Sequence, residues 1–226
     1  MFYRKEVYKI NNILVVNPTK IENSRAFGGL DIVRMALGDQ SIYIDFVYNN
    51  RNESEIRKDK YEICVEINEL EIENNVVSFI LPGDASYFEY TGLKNGIDYE
   101  IELKFKEKST GEIKARSPVR FFRTGFVPGV VINYIHPEDY TYNTSGRSPA
   151  SPSIVRIPDG SLLASHDIYW GKGGQNLSKV FVSKDNGVSW KYLSDVYPCF
   201  WGKLFIHNGN LYMLGTSTEY GALLIL

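Results

Sequence analysis

Apolar and polar residues alternate in short runs along almost the whole chain, and Gly, Asn, Asp or Pro separates one run from the next. No segment longer than about two turns keeps the i, i+3, i+4, i+7 apolar spacing of a buried helix face. The pattern therefore predicts strands joined by tight turns. From about residue 28 they read LDIVRMAL, SIYIDFVY, KYEICVEI, VVSFIL, YFEYTGL, DYEIELKFKE and IKARSPVRFFRT. In IELKFKEK, Ile101, Leu103 and Phe105 fall on one face and Glu102, Lys104 and Lys106 on the other, as in a half-exposed strand. The best helical candidate, NESEIRKDK at 52–60, is charged all round and is assigned to a loop.

Composition adds the number of domains and narrows the partners. With 226 residues, 43% hydrophobic and 23% charged, the chain can bury sizeable cores, and two domains are expected. The 16 Tyr and 12 Phe suit pleated surfaces, so the fold class is all-β. A formal charge of −2 gives no pull toward nucleic acid or an anionic membrane. Cys64 and Cys199 lie far apart and form no CxxC, which argues against a disulfide framework. His136, His166 and His207 lack paired spacing and a cysteine cluster, so neither a metal site nor a cofactor is expected. GKGG at 171–174 lacks the strand and helix flanks of a phosphate loop. No apolar run approaches the ~18 residues that cross a bilayer, so no membrane insertion is expected. The opening MFYRKEVYKINNILVV is too interrupted for an export signal, and localisation stays open between the cytoplasm and the cell exterior.

Seven short strands in about 100 residues suggest a sandwich. Within GLKNGIDYEIELKFKEKSTGEIKARSPVRFFRT, Leu93, Gly96, Tyr99, Ser117 and Thr124 stand where this segment resembles the last three strands of a fibronectin type III domain. Phe46 takes the place of the usual strand-B tryptophan. The resemblance covers residues 28–125 and implies a tyrosine corner at Tyr99, with a spacer or partner-binding role. Residues 1–27 are then an N-terminal extension. Residues 126–149, rich in Pro, Gly, Tyr and Asn, read as a linker.

Residues 150–226 contain a repeat. SIVRIPDGSLLAS (153–165) aligns with GKLFIHNGNLYML (202–214), with Gly160 and Gly209 49 residues apart, a period of propeller-blade length. Between the third and fourth strands of the first repeat lies SKDNGVSW, with Ser183, Asp185, Gly187 and Trp190 at fixed spacing. Asp185 can accept bonds from the turn's own backbone, Gly187 can supply a positive φ and Trp190 can bury its ring. This turn resembles the Asp box of sialidase-type (BNR-repeat) β-propellers. The resemblance implies an incomplete propeller of about two blades and a carbohydrate-active, glycoside hydrolase-like protein whose partner is a glycan. Further blades would come from a longer chain, and this chain alone is expected to be inactive. The alternative is a non-catalytic carbohydrate- or protein-binding module. The Asp box itself is structural.

Pairing across the first hairpin sets Ser153 opposite Ser165 and crowds Ser151, His166 and Asp167 at one end; the second repeat brings Trp201 and Lys203 toward Ser217, Thr218 and Glu219. Asp167 occupies the place of the family's acid/base aspartate, or else caps a loop. Arg147, His166, Trp170, Trp201, Lys203 and Glu219 are the substrate-binding candidates, and Trp170, Trp201 and Tyr220 either stack on sugars or pack between blades. Arg156 lies in an Arg-Ile-Pro like that of sialidases, but it runs directly into the Asp-Gly turn, which places it at the wrong end of the strand.

Overall fold

The computed structural model describes residues 8–10, 13–15, 29–49, 59–72, 75–139, 146–170, 176–217 and 221–226. Among these residues every regular element is a strand. The first ten are β1 (Tyr8–Ile10), β2 (Ile13–Val15), β3 (Gly29–Gly38), β4 (Ser41–Asn49), β5 (Tyr61–Glu69), β6 (Val76–Pro82), β7 (Tyr87–Thr91), β8 (Asp98–Glu107), β9 (Ile113–Arg116) and β10 (Arg120–Arg123). They are followed by β11 (Gly146–Arg156), β12 (Leu162–Trp170), β13 (Ser178–Ser183), β14 (Lys191–Tyr197), β15 (Phe200–His207), β16 (Asn210–Ser217) and β17 (Ala222–Ile225). The chain divides into two compact units, one of residues 27–141 and the other of residues 1–26 together with 142–226. Of the charged segment 52–60, residues 59–60 form a turn and the rest lies outside the described residues.

The unit of residues 27–141 has two antiparallel sheets, ordered β3-β4-β7 and β10-β8-β5-β6, with β9 also pairing β8. Strand alternation sends Ile42, Ile44 and Phe46 from one sheet and Ile63, Val65, Ile67, Ile101, Leu103 and Phe105 from the other into one core. Tyr99 forms the expected corner: it is buried, and its hydroxyl accepts the Lys94 amide at 2.9 Å. Thr124 closes the same end by donating to the Lys94 carbonyl at 3.0 Å.

The segment read as a linker is used by this sandwich. At the open edge of β3, next to a one-residue bulge after Ile32, the Tyr134 amide donates to Met35 O at 2.8 Å. The Met35 amide in turn donates to Asn133 Oδ1 at 3.0 Å, and Arg34 Nε to Ile132 O at 2.6 Å. An exposed row of strand amides and carbonyls invites pairing with another chain, and this strap covers part of that row. His136 Nδ1 accepts the Glu138 amide at 3.1 Å, which leaves Nε2 to donate to Asp98 at 3.1 Å. The strap is fastened by Asp139, which forms an ion pair with Arg120 in which both side chains are only 1% exposed. Arg120 also donates to Ile32 O at 2.9 Å. Composition alone reads 126–149 as a linker because the partners of these groups lie far away in sequence.

In the other unit the larger sheet runs β1-β2-β14-β13-β12-β11, antiparallel throughout except that β2 pairs β14 in parallel, with Leu14 opposite Val196. The N-terminal stretch, read from the sequence as an extension, thus supplies two strands. The second sheet is β15-β16-β17, and among the described residues neither sheet closes into a ring. Leu163, Val180 and Val196 of the first sheet pack with Leu204 and Met213 of the second and with Cys199 between them. The approach is close at Gly215, where an added Cβ would stand 2.4 Å from Cys199 Sγ. On β17, Leu223 and Ile225 are exposed.

Removing one partner of a buried ion pair strands the other charge. Asp139→Ala is therefore expected to destabilise the 27–141 unit by about 3–5 kcal/mol in urea denaturation, and the double change Arg120→Leu, Asp139→Leu to recover most of that loss. Equal loss in single and double variants would show that the strap is held by other contacts.

Candidate functional site

Both inner hairpins carry the same irregularity. One extra residue is inserted on β11 between Ala150 and Ser153, and one on β15 between Phe200 and Lys203. Within these bulges Ser151 has φ 51° and Trp201 φ 55°. The left-handed region is uncommon for a side chain as bulky as tryptophan, so something must hold it there.

Asp167, on β12 opposite Ala150, is that something. Its side chain points toward the second sheet and is only 1% exposed. Oδ2 accepts the Trp201 amide at 2.6 Å, and Oδ1 accepts the Ser178 hydroxyl. Burial raises its proton affinity above that of an ordinary aspartate, and Ser178, the Trp201 amide and the nearby Ser151 and Gly202 pull it back down. Gly202 has a steric reason to lack a side chain, since a Cβ would lie 2.8 Å from Met213 Sδ and 3.1 Å from Ser178 Oγ.

Above this buried carboxylate the surface is aromatic. Tyr169 stacks on Phe200 with ring centroids 5.7 Å apart, and Phe200 meets Trp201 at 5.6 Å. Trp201 is 58% exposed, whereas Phe200 beside it is buried. Lys203 reaches across to Pro152 O at 2.8 Å, and the Leu204 amide donates to Ser153 Oγ at 3.0 Å, so β15 is tied to β11 along its length.

His166 takes no part in this cluster, because alternation turns it to the opposite face of β12. There it stacks on Phe181 at 5.5 Å, and Nδ1 donates to Asp167 O at 3.0 Å. Burial lowers its pKa to about 4, so the ring is neutral at pH 7. On the neighbouring strands of the same face, Lys179 and Asp195 form a buried ion pair at 2.9 Å. Arg147 and Trp170 lie on β11 and β12 with side chains outside the described residues, as are Glu219, Thr218 and Tyr220 entirely. Ser178 was not among the sequence candidates. Its place opposite Asp167 follows from the β12–β13 register, which the Gly-rich sequence between the two strands does not reveal.

At the other end of the hairpins, the SKDNGVSW turn has the bonds its spacing predicts. Asp185 Oδ1 accepts the Ser183 hydroxyl at 2.7 Å and the Ser189 amide at 2.9 Å, and Ser183 Oγ accepts the Gly187 amide at 2.8 Å. Gly187 has φ 92°, and the buried Trp190 donates Nε1 to Gly187 O at 3.1 Å. The Ser189 and Ser183 bonds lower the Asp185 pKa to about 2. Arg156 is at this end too, donating to Gly160 O at 2.7 Å and Asn186 Oδ1 at 2.6 Å. It braces two turns.

No protein-family model matches the chain, and no curated protein does. Among solved structures, the chain is similar to the solution structure of a fibronectin type III domain derived from the human KIAA0970 protein, at 16% identity. That match covers 45% of this chain and 78% of the other, with a TM-score of 0.35. Among its described residues the protein is all-β, and its match to a fibronectin type III-like domain is weak and partial.

Two stability measurements check the electrostatics. The folded state keeps His166 neutral down to about pH 4, whereas the unfolded chain takes up that proton near pH 6.5. Stability should therefore fall by about 3 kcal/mol across this window through His166 alone, and His166→Phe should flatten the pH dependence there. Asp185→Ala should lower the melting temperature at neutral pH. The difference should shrink as pH falls from 3.8 toward 2, where the folded-state carboxylate is lost; a difference unchanged at pH 2 would contradict the charge-assisted turn.

Proposed function

We propose that this chain is part of a sialidase-like, Asp-box propeller protein whose described face binds a glycan. The observation that carries this reading is Trp201: a mostly exposed aromatic ring held on a strained bulge where two paired hairpins meet. Exposed tryptophan on a rigid support is a typical binding anchor, offering a large apolar face at little entropic cost. The buried Phe200 backs the Trp201 ring, the half-buried Tyr169 stacks on Phe200 in turn, and Lys203, two residues on, adds a cation to the same strand. The Asp-box turn and the 49-residue repeat support the propeller assignment. The exposed Leu223 and Ile225 suit contact with a further sheet of the same kind. The fibronectin type III-like unit serves as a spacer or partner-binding module.

A hydrolytic version of this reading uses Asp167 as acid/base. Its 1% exposure and its set of donors favour binding over turnover by the residues described.

A glycan array together with a fluorogenic glycoside panel tests the proposal. Binding without turnover is expected, and Trp201→Ala should weaken it roughly tenfold or more while leaving the melting temperature near that of the parent. Absence of any glycan bound, or binding indifferent to Trp201, would overturn it.

A further inference from the structure

We infer that Asp167 is the positioning residue of the aromatic face: its carboxylate fixes the backbone of Trp201 in the left-handed region and thereby aims the ring outward. The inference rests on the glycan-binding reading for its functional meaning, but its physical content is independent of any ligand.

The geometry carries it in three steps. First, Trp201 has φ 55°, a conformation that a bulky residue adopts only when its surroundings impose it. Secondly, the Trp201 amide donates to Asp167 Oδ2 at 2.6 Å, so the bulged backbone of β15 is turned inward onto the carboxylate. Thirdly, the equivalent bulge on β11, next to Ala150 opposite Asp167, also has a left-handed residue, Ser151, which lowers the proton affinity of the same carboxylate. One anion thus lies against both bulges, with the Ser178 hydroxyl of β13 bonded to it. Asparagine keeps an oxygen for the Trp201 amide but carries no charge, and its amide nitrogen must donate to Ser178 Oγ where the carboxylate accepts from it.

A positioning role differs from a merely structural one in what the Trp201 amide reports. With 3 Trp in the chain, protein labelled with ¹⁵N-tryptophan gives three backbone amide signals, and Trp201→Phe identifies the one in question. The groups facing Asp167 are Ser151, Ser178, the two bulge amides and the Cys199 thiol, whose pKa burial pushes up to about 11. None of these titrates in the acid range. His166, on the other face of β12, does titrate there, so the measurement is repeated in His166→Phe.

In the intact folded protein the Trp201 amide proton should lie downfield at neutral pH. It should move upfield in one step whose midpoint lies above that of an ordinary aspartate, unaccompanied by Trp170 or Trp190 and retained in His166→Phe. Asp167→Asn, if folded, should show the upfield position at every pH. A Trp201 amide that stays flat with pH, or a step that vanishes in His166→Phe, would overturn the inference. Glycan binding that is absent while the step is present would overturn the functional reading and leave this one standing.

Discussion

A carboxylate that leaves water must be met by donors, and Asp167 is met from both sheets at once, by Ser178 of β13 and the Trp201 amide of β15. Much of the unit's geometry near the site depends on this meeting. β15 bulges where the Trp201 amide turns inward, Gly202 lacks a side chain where the sheets touch, and Ser178 stands across the ladder from the anion it serves. The outward Trp201 ring is the other side of the same curl. A site that meets solvent is therefore held in place by a charge that does not.

The same rule governs the sandwich, where Arg34 with Asp45 and Arg120 with Asp139 are buried pairs. Its hydrophobic alternation made the strands and the Tyr99 corner legible from sequence, because each depends on neighbours a few residues away. The strap was not legible. Pro, Gly, Tyr and Asn look alike whether a segment links domains or lies across a strand edge, and only the distant Arg120 and Met35 distinguish the two.

The candidate site was legible in part for a similar reason. Hairpin pairing placed Ser153 opposite Ser165 and Asp167 near Ser151, since one short turn fixes that register. It also placed Arg156 beside the turn, where it braces Asn186. What strand counting missed was facing. His166 and Asp167 are adjacent in sequence, yet they occupy opposite sides of one strand and have opposite tasks. The SKDNGVSW turn was the most legible feature of all, because the bonds that Ser183, Asp185 and Trp190 make within it close inside eight residues.

The parallel pairing of β2 with β14 has a consequence for how the protein is made. Leu14 leaves the ribosome long before Val196, and the whole sandwich is synthesised between them. The sandwich is thus an insertion within its host: all of it is synthesised while the host sheet still lacks four of its six strands. Strand β2 can pair with β1 at once, but it meets β14 only after the intervening module has been made.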